Sequence, residues 1–439
     1  MRFYISFISL VCLILYSINS LGDGSRNLYP SGSKGRRAYL NSVPPGVSSA
    51  VYNAFSTLGT MKVYAKAGEI IYAGSSAQGR YVGTYSSYYG HIVMRSPNGN
   101  TYDSGNSTTV GYIATRDQEL AGPNLSGMTS GYTPFTHTVV AAEEGIWEVD
   151  FVSPKYSTAE GASHTSAYPD YADGQWTEPL NTGTQDIIAA FDLSVGSATT
   201  LIPGRVYCNV FNGTLNGAFT DPEGGFYGVF YVLTSNGHVY KVDNNGQNGY
   251  SFEFFVNNKG VQSGGLPTYQ SFNGTGISGN IYDPRQPDNG SNDITHKLFF
   301  EYPAADMPTS APISYNGGST TTTWLKNIPP DIPSMTNISL VGIEGVPGLV
   351  GPKGANITFT ANVDASYTLT IHSTSGSYID RKISGIASVG ANTVYWDGKD
   401  GAGNQVDGGT SLEITGLLFA SEVHFPLVDV EINPTGIII

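Results

Sequence analysis

The chain has 439 residues, which is too long for one sandwich of about 100 residues and favours two to four domains. Only 13% of the residues are charged, the net charge is −14, and the pI is near 4.8. Because binding to a phosphate backbone needs clustered Lys and Arg, this balance argues against nucleic acid as a partner. The one basic cluster, Lys34-Gly35-Arg36-Arg37, is predicted to be a solvated loop.

The N-terminus has the pattern of a signal peptide. A basic residue precedes an apolar stretch from Phe3 to Tyr16, and small or polar residues follow. We place the signal peptide at residues 1–22 and expect a secreted or outer cell-surface protein after its removal. No later stretch approaches the roughly 20 apolar residues of a membrane-spanning helix, so we expect no transmembrane span in the mature chain.

Removal of this leader leaves Cys208 as the only cysteine, which excludes an intramolecular disulfide. The cysteine lies in an alternating, strand-like run and not at the start of a helix. That position predicts a buried thiol with no catalytic role.

The composition favours strands joined by tight turns. Gly (55), Tyr (29) and Phe (19) are abundant, and aromatic residues suit strands while Gly and Asn suit turns with positive φ. Residues 147–151, Trp-Glu-Val-Asp-Phe, alternate apolar and acidic side chains, which predicts a half-buried strand. Asn98-Gly99 and Asn236-Gly237 each lie between strand-like runs, which predicts two hairpins.

These patterns predict an all-β fold of tandem β-sandwich domains followed by an immunoglobulin-like β-sandwich. The last hundred or so residues contain about seven short strand-like runs, the number and spacing typical of an immunoglobulin-like module. Before the immunoglobulin-like module, a Pro/Ser/Thr-rich stretch predicts a linker or an ordered meander. The expected divisions are a β-sandwich domain at 27–180, a second β domain at 181–305, the linker at 306–335 and the immunoglobulin-like domain at 336–439.

The sequence shows no spacing typical of an enzyme. It contains no G-x-S-x-G turn, and its seven histidines are scattered without an H-E-x-x-H pair. Adjacent Glu143 and Glu144 would face opposite ways on a strand, so a turn before Gly145 explains them better than acid–base chemistry. We therefore predict a protein that is not an enzyme, with no catalytic residues and no cofactor.

The loop at 397–407 is the best candidate for a metal site. Carboxylate and amide oxygens at short spacing suit calcium, but the ligand order of an EF-hand is not met. The alternative is a Gly-rich turn in which Asp side chains accept hydrogen bonds from nearby backbone amides, and we favour this turn over a metal site. The calcium candidates are Asp397, Asp400, Asn404 and Asp407.

Clustered tyrosines are a second candidate for binding. Exposed tyrosines at 85, 88 and 89 could stack on sugar rings, but tyrosines also serve as ordinary strand pairs, which we favour. The ligand-binding residues of the chain therefore stay unassigned.

Several distributed segments resemble the N-terminal region of large cell-surface proteins of Bacteroidota that are associated with gliding motility and type IX secretion. The resemblance covers nearly all of the mature chain. It is carried by the segments NLYPSGSKGRRAYLNS from Asn27, KVYAKAGEIIYAGSSAQG from Lys62, QELAGPNL from Gln118, PGRVYCNVF from Pro203, THKLFF from Thr295 and TTWLKN from Thr322.

The C-terminal segment NTVYWDGKDGAGNQVDGG, from Asn392, resembles an immunoglobulin-like module of the flagellar-hook-scaffold type. These resemblances imply a β-sandwich spacer and provide no active site. We expect a non-enzymatic structural or adhesin-like surface protein, the N-terminal part of a larger one, whose partner is an unidentified cell-surface or extracellular protein or glycan. The alternative is an accessory or carbohydrate-binding region of an extracellular hydrolase whose catalytic part lies beyond residue 439.

Overall fold

The fold is nearly all-β, as the sequence predicts. The computed structural model describes residues 22–42, 59–81, 89–154, 170–176, 187–215, 223–249, 251–258, 261–263, 266–271, 284–285, 287–288, 296–329, 332–344, 347, 350, 352–419 and 422–439. Most of the predicted signal peptide lies outside these ranges, as do Tyr85 and Tyr88. No described helix is long and apolar enough to cross a membrane.

The chain forms two compact units. Unit 1 contains residues 1–327 and 425–439, and unit 2 contains residues 328–424. Two short α-helices lie among the described residues of unit 1, Ser25–Leu28 (α1) and Arg116–Ala121 (α2).

The described strands of unit 1 before the insertion of unit 2 are β1 Asp23–Gly24, β2 Tyr39–Asn41, β3 Gly59–Ala65, β4 Ile70–Ser75, β5 His91–Arg95, β6 Thr101–Asp103, β7 Phe135–Thr138, β8 Gly145–Val152, β9 Ile187–Ile188, β10 Phe191–Gly196, β11 Val206–Cys208, β12 Val210–Thr214, β13 Val229–Leu233, β14 Val239–Asp243, β15 Ser251–Phe255, β16 Val261–Ser263, β17 Leu266–Gln270, β18 Lys297–Phe299, β19 Ser310–Ile313 and β20 Thr321–Trp324. Those of unit 2 are β21 Met335–Gly342, β22 Ala355–Ala361, β23 Ala365–Ser373, β24 Arg381–Ala387, β25 Gly390–Trp396 and β26 Leu412–Phe419. The chain then returns to unit 1 with β27, Leu427–Val428.

Three sheets of unit 1 interleave distant parts of the sequence. The largest has ten strands, with the order β14-β13-β18-β11-β3-β8-β19-β20 and with β5 and β6 attached through β8. The others have the orders β1-β10-β4-β7 and β27-β15-β12-β2-β9. Strands from 27–180 and from 181–305 therefore pair side by side in one unit, without the boundary that the sequence reading placed between them.

The stretch at 306–335 also differs from the expected linker. Its strands β19 and β20 pair with each other and extend the ten-stranded sheet beyond β8. Apolar side chains in this stretch are buried in the core, among them Ala311, Ile313 and Leu325. Similarly, β27 pairs with β15 of unit 1, although the sequence reading placed this segment in the immunoglobulin-like domain.

Both predicted Asn-Gly hairpins are confirmed. Strands β5 and β6 pair antiparallel around Gly99, and β13 and β14 pair around Gly237. The two glycines have φ near 90°, a conformation that costs a residue with a Cβ more than it costs glycine.

Unit 2 has two three-stranded sheets, β21-β22-β25 and β24-β23-β26. Residues of β22 and β23 alternate between the two faces of their sheets, and one face of each sheet enters a shared core that includes Ile357, Phe359, Leu369 and Trp396. The residues on the opposite faces of these two strands are more exposed, as expected for a sandwich.

The core of unit 1 is rich in aromatic side chains. Phe211 stacks on Phe226 with ring centroids 5.7 Å apart, and Phe230 packs against both. Aromatic pairs of this kind add about 0.5–1.5 kcal/mol each beyond the area that they bury.

Strand β8 is buried on both faces, so the prediction of a half-buried strand was wrong. Trp147, Val149 and Phe151 are buried as expected, but Glu148 and Asp150 are buried as well. Alternation reports that a strand has two chemically different faces, but it does not show that the polar face meets water. On β8 the polar face meets cationic side chains from neighbouring strands.

Candidate functional site

The loop at 397–407 in unit 2 has the geometry of a turn held by its own carboxylates. Asp400 is buried, and its Oδ1 accepts hydrogen bonds from the backbone N–H groups of Ala402 (3.0 Å) and Asn404 (2.7 Å). Burial opposes ionisation of Asp400, but the hydrogen bonds from Asn404, Ile379 and Ala402 lower its pKa. The carboxylate oxygens of this residue therefore already have partners.

Asp397 and Asn404, two of the other calcium candidates of this loop, each have a hydrogen-bond partner within the loop. Asp397 Oδ1 accepts a hydrogen bond from the Lys399 N–H at 3.1 Å, and its Oδ2 lies 3.7 Å from a guanidinium nitrogen of Arg381. Asn404 donates weakly to Asp400 through its side-chain amide, at 3.4 Å. Asp407 lies in the lining of a cleft of about 690 Å³. No group of three or more His, Cys, Asp or Glu residues suited to a metal ion occurs in the described part of the chain.

The polar face of β8 carries Glu148 and Asp150, which contact cationic side chains of neighbouring strands. Lys62 on β3 is the cross-strand neighbour of Glu148 on β8 and of Tyr207 on β11. Asn209 follows β11 at the bend into β12, two residues beyond Tyr207. Since side chains two residues apart on a strand share a face, this topology directs Lys62, Glu148 and Asn209 to one buried point.

The distances confirm this convergence. Lys62 Nζ donates to Asn209 Oδ1 at 2.6 Å, and it lies 3.8 Å from Glu148 Oε1. All three residues are at most 1% exposed. The ammonium group also donates to the Pro284 carbonyl and lies 5.5 Å from the centre of the Tyr315 ring.

A second buried pair adjoins the first. Lys297 on β18 donates to Asp288 Oδ2, and its Nζ lies 3.6 Å from the centre of the Trp324 ring. Asp288 Oδ2 also accepts a hydrogen bond from Asn209 Nδ2 at 3.1 Å, so the side chain of Asn209 joins the two pairs. Tyr315 and Thr323 donate to Asp288 Oδ1 at 3.0 and 2.6 Å. We name the two lysines, their carboxylate partners and the asparagine that joins them the buried lysine cluster. Its members are Lys62, Glu148, Asn209, Asp288 and Lys297.

The two carboxyl groups of the buried lysine cluster have opposite pKa shifts. Burial raises the pKa of Glu148 to about 7, and the nearby Lys62 only partly offsets this effect. Its Oε2 accepts a hydrogen bond from the Asn316 N–H at 2.6 Å, whereas Oε1 accepts none. Burial also opposes ionisation of Asp288, but the ammonium groups of Lys297 and Lys62 outweigh it and lower the pKa of Asp288 to about 2. Glu148 can therefore exchange a proton near neutral pH, while Asp288 stays ionised.

A third buried network surrounds Glu119 of helix α2. Arg37 donates to both of its carboxylate oxygens, at 2.7 and 3.0 Å, and Arg116 donates to Oε2 at 2.7 Å. Ser25 and Trp176 add hydrogen bonds to the same carboxylate. Burial opposes ionisation of Glu119, but the two guanidinium groups outweigh it and lower its pKa.

Arg37 corrects one expectation from the sequence. It is 0% exposed and lies 4.4 Å from the centre of the Tyr29 ring, so the solvated basic loop predicted at 34–37 is wrong at this residue. Its charge is neutralised inside the protein. Cys208 follows its prediction: it is buried and unpaired, and burial raises its pKa, which disfavours the reactive thiolate.

The two adjacent glutamates also have different surroundings. Glu143 ends a short 3₁₀ helix, is buried, and accepts hydrogen bonds from Tyr102 and Asn100. His137 lies 2.8 Å from its Oε2, and its ring packs against those of Tyr102 and Trp147. Glu144 is exposed and accepts a hydrogen bond from the backbone of Ala67.

The outer face of the β24-β23-β26 sheet in unit 2 carries an exposed apolar patch. Ile386 and Phe419 flank Ser366 across the sheet, and Leu417 lies beside Thr368 in the next row. Ile386, Leu417 and Phe419 are 60%, 61% and 52% exposed. Toward the other end of the same face, the outward residues are Lys382, Thr415 and Glu413. We name Ile386, Leu417 and Phe419 the apolar patch.

No family model, no curated protein and no solved structure matches this chain.

Sequence reasoning missed the buried lysine cluster and the Glu119 network. A usable signal was present in the low charge content: in a chain with few charged residues, acidic residues within apolar strands need partners if they are buried. The identity of those partners depends on strand order, which local patterns do not encode.

Proposed function

We propose that the chain is a non-enzymatic, secreted structural or adhesin-like protein of the cell surface. The apolar patch of unit 2 is the observation that carries this proposal. Exposed apolar residues that cluster on one sheet face, with polar residues further along the same face, are typical of surfaces that bind another macromolecule. The partner is a cell-surface or extracellular protein or glycan.

Three further observations support this assignment. The first residues have the pattern of a signal peptide, which fits export. The segments quoted above resemble surface proteins of Bacteroidota associated with gliding motility and type IX secretion. Two ion pairs, Arg37–Glu119 and Lys297–Asp288, are buried, which fits a structural scaffold.

The apolar patch provides a direct test of adhesion. The full chain is immobilised, and its binding to envelope fractions of the natural host and to a glycan array is measured. We expect the triple variant Ile386→Ser/Leu417→Ser/Phe419→Ser to bind at least about tenfold more weakly, because the central apolar residues of an interface carry most of its affinity.

A matched control changes three outward residues at the polar end of the same face. The variant Lys382→Ser/Thr415→Ser/Glu413→Ser should keep the wild-type affinity. Equal loss in both variants would exclude the apolar patch as the binding surface. Release of sugars from the arrayed polysaccharides by the wild-type chain would instead show hydrolysis and contradict a non-enzymatic role.

A further inference from the structure

The buried lysine cluster brings together a nucleophile, an electrophile and a base. The nucleophile is the Lys62 amine, whose Nζ lies 2.6 Å from the side-chain oxygen of Asn209. The electrophile is the Asn209 amide carbon, which is bonded to that oxygen. The base is Glu148, whose Oε1 accepts no hydrogen bond and lies 3.8 Å from Lys62 Nζ. Neither a structural ion pair nor a strand contact requires all three groups at one buried point.

We propose that Lys62 and Asn209 become joined by an intramolecular isopeptide bond, with Glu148 as the general base. Glu148 accepts a proton from the Lys62 ammonium, and the neutral Nζ attacks Cγ of Asn209. A new C–N bond forms, and the bond between Cγ and Nδ2 breaks. The ammonium gives up two protons in total and the departing nitrogen takes up both, so the products are a secondary amide and one ammonium ion.

The fold supplies the proximity that this reaction needs. Strand β3 pairs with β8 on one side and with β11 on the other, so Lys62 is held between the strand of Glu148 and the strand that leads to Asn209. Positioning of this kind replaces a bimolecular encounter and accelerates amide formation by many orders of magnitude. Burial also excludes the water that would compete for the Asn209 carbonyl.

The two carboxyl groups of the buried lysine cluster divide the proton chemistry between them. A base works best when its pKa is near the pH of the reaction, and burial raises the pKa of Glu148 to about 7. Asp288 Oδ2 lies 3.1 Å from Asn209 Nδ2, the nitrogen that leaves. Since Asp288 is ionised, it stabilises the positive charge that develops there.

The neighbouring pair, Lys297 and Asp288, is the rival within the cluster. Its nitrogen and carboxylate oxygen are also in contact. However, an ionised carboxylate is a much poorer electrophile than an amide, and two ammonium groups hold Asp288 in that ionised form. The geometry therefore favours Asn209 as the acceptor of the new bond.

The test is the mass of the full wild-type chain under denaturing conditions, corrected for the N-terminus that peptide mapping identifies. We expect a deficit equal to one ammonia. Trypsin does not cleave after a lysine whose amine is acylated, so residues 38–66 and 206–241 should appear as one branched peptide. Ammonia can also be lost where Asn precedes Gly, so fragmentation must show the branch between Lys62 and Asn209.

Two substitutions test the roles of the residues. Lys62→Arg keeps the charge but removes the nucleophile, and Glu148→Gln keeps the size but removes the base; both should abolish the branched peptide. Lys66→Arg, beyond the end of β3 and partly exposed, is the matched control and should keep it. Circular dichroism of each variant shows whether the β fold is retained.

The wild-type measurement decides the proposal even if a variant fails to fold. A full-length mass without a deficit, together with separate peptides 38–62 and 206–241, would overturn it. A deficit equal to one water, with a branch between Lys297 and Asp288, would also overturn the assignment to Asn209. A branched peptide that persists in a folded Glu148→Gln variant would remove Glu148 from the reaction.

Discussion

Substitution of Glu119 by Gln should strongly destabilise unit 1. The carboxylate of Glu119 is the acceptor for Arg37, Arg116, Ser25 and Trp176, and its side chain is 1% exposed. Glutamine has nearly the same size, but it carries no charge and presents one acceptor oxygen instead of two. The change therefore leaves two guanidinium groups buried without the carboxylate that neutralises them.

The expected loss follows from the burial of these charges. Removing one partner of a buried ion pair costs about 3–5 kcal/mol, because the remaining charge stays desolvated. Arg116 also lies 3.7 Å from Asp173, whose carboxylate still partly neutralises the Arg116 charge in the variant. Arg37, in contrast, keeps only backbone acceptors, the carbonyls of Ala189 and Ala172. We therefore expect a decrease of about 3 kcal/mol or more in the free energy of unfolding.

The loss of stability in Glu119→Gln should also depend on pH. The folded state lowers the pKa of Glu119, so the carboxylate contributes stability above its unfolded pKa and loses it as the pH falls through the folded pKa. The difference between wild type and Glu119→Gln should therefore shrink on acidification.

The assay is equilibrium unfolding in urea, followed by tryptophan fluorescence at neutral and acidic pH. Glu144→Gln is the matched control, because Glu144 is exposed in the same unit. This substitution should change the free energy of unfolding by less than about 0.5 kcal/mol. A loss below about 1 kcal/mol for Glu119→Gln, or a loss that does not vary with pH, would refute the argument from buried charge.

Two further predictions concern Glu148 and the Asp397–Asp407 loop. Because folding raises the pKa of Glu148 from 4.5 to about 7, its contribution to stability is full below pH 4.5 and is lost as the pH rises through about 7. The comparison uses Lys62→Arg, which keeps a cation beside Glu148 but cannot form the proposed bond. Urea unfolding of Lys62→Arg should show about 3 kcal/mol of this pH dependence that Lys62→Arg/Glu148→Gln lacks, and equal pH profiles would contradict it. For the loop, the oxygens of Asp400 already accept hydrogen bonds, so calcium and chelator should give melting temperatures of the full chain within about 2 °C of each other. A larger calcium-dependent rise that disappears in Asp400→Ala would make the loop a metal site.

Local chemistry made parts of this fold predictable. An Asn-Gly pair between two strand-like runs leaves few conformations other than a hairpin, and both such pairs join antiparallel neighbours. In unit 2, the apolar and polar residues of β22 and β23 likewise alternate along each strand, and this pattern predicts that the two faces differ. In each case the residues that determine the structure are adjacent in sequence.

The organisation of unit 1 could not be predicted in this way. Strand β3 pairs with β8 and with β11, which lie far along the chain on the two sides of the expected domain boundary. Similar strand-like runs in every segment are compatible with many pairings, and no local pattern ranks them. The stretch at 306–335 shows the same limit: its prolines and threonines favour a linker locally, yet Ile313 and Leu325 are buried in a core formed by distant strands.

The buried lysine cluster poses an energetic question that the proposed isopeptide bond answers. A buried ammonium group costs several kcal/mol of desolvation, and a nearby carboxylate only partly compensates when burial also raises its pKa, as it does for Glu148. Conversion of the Lys62 ammonium into a secondary amide removes that charge from the core, and the ammonium ion that leaves can be solvated outside. The bond would also join β3 to the residue after β11, two elements that are far apart in sequence, and so restrict the unfolded chain. The burial of the Lys62 ammonium is thus unfavourable before the reaction, and the reaction converts that same group into a neutral amide.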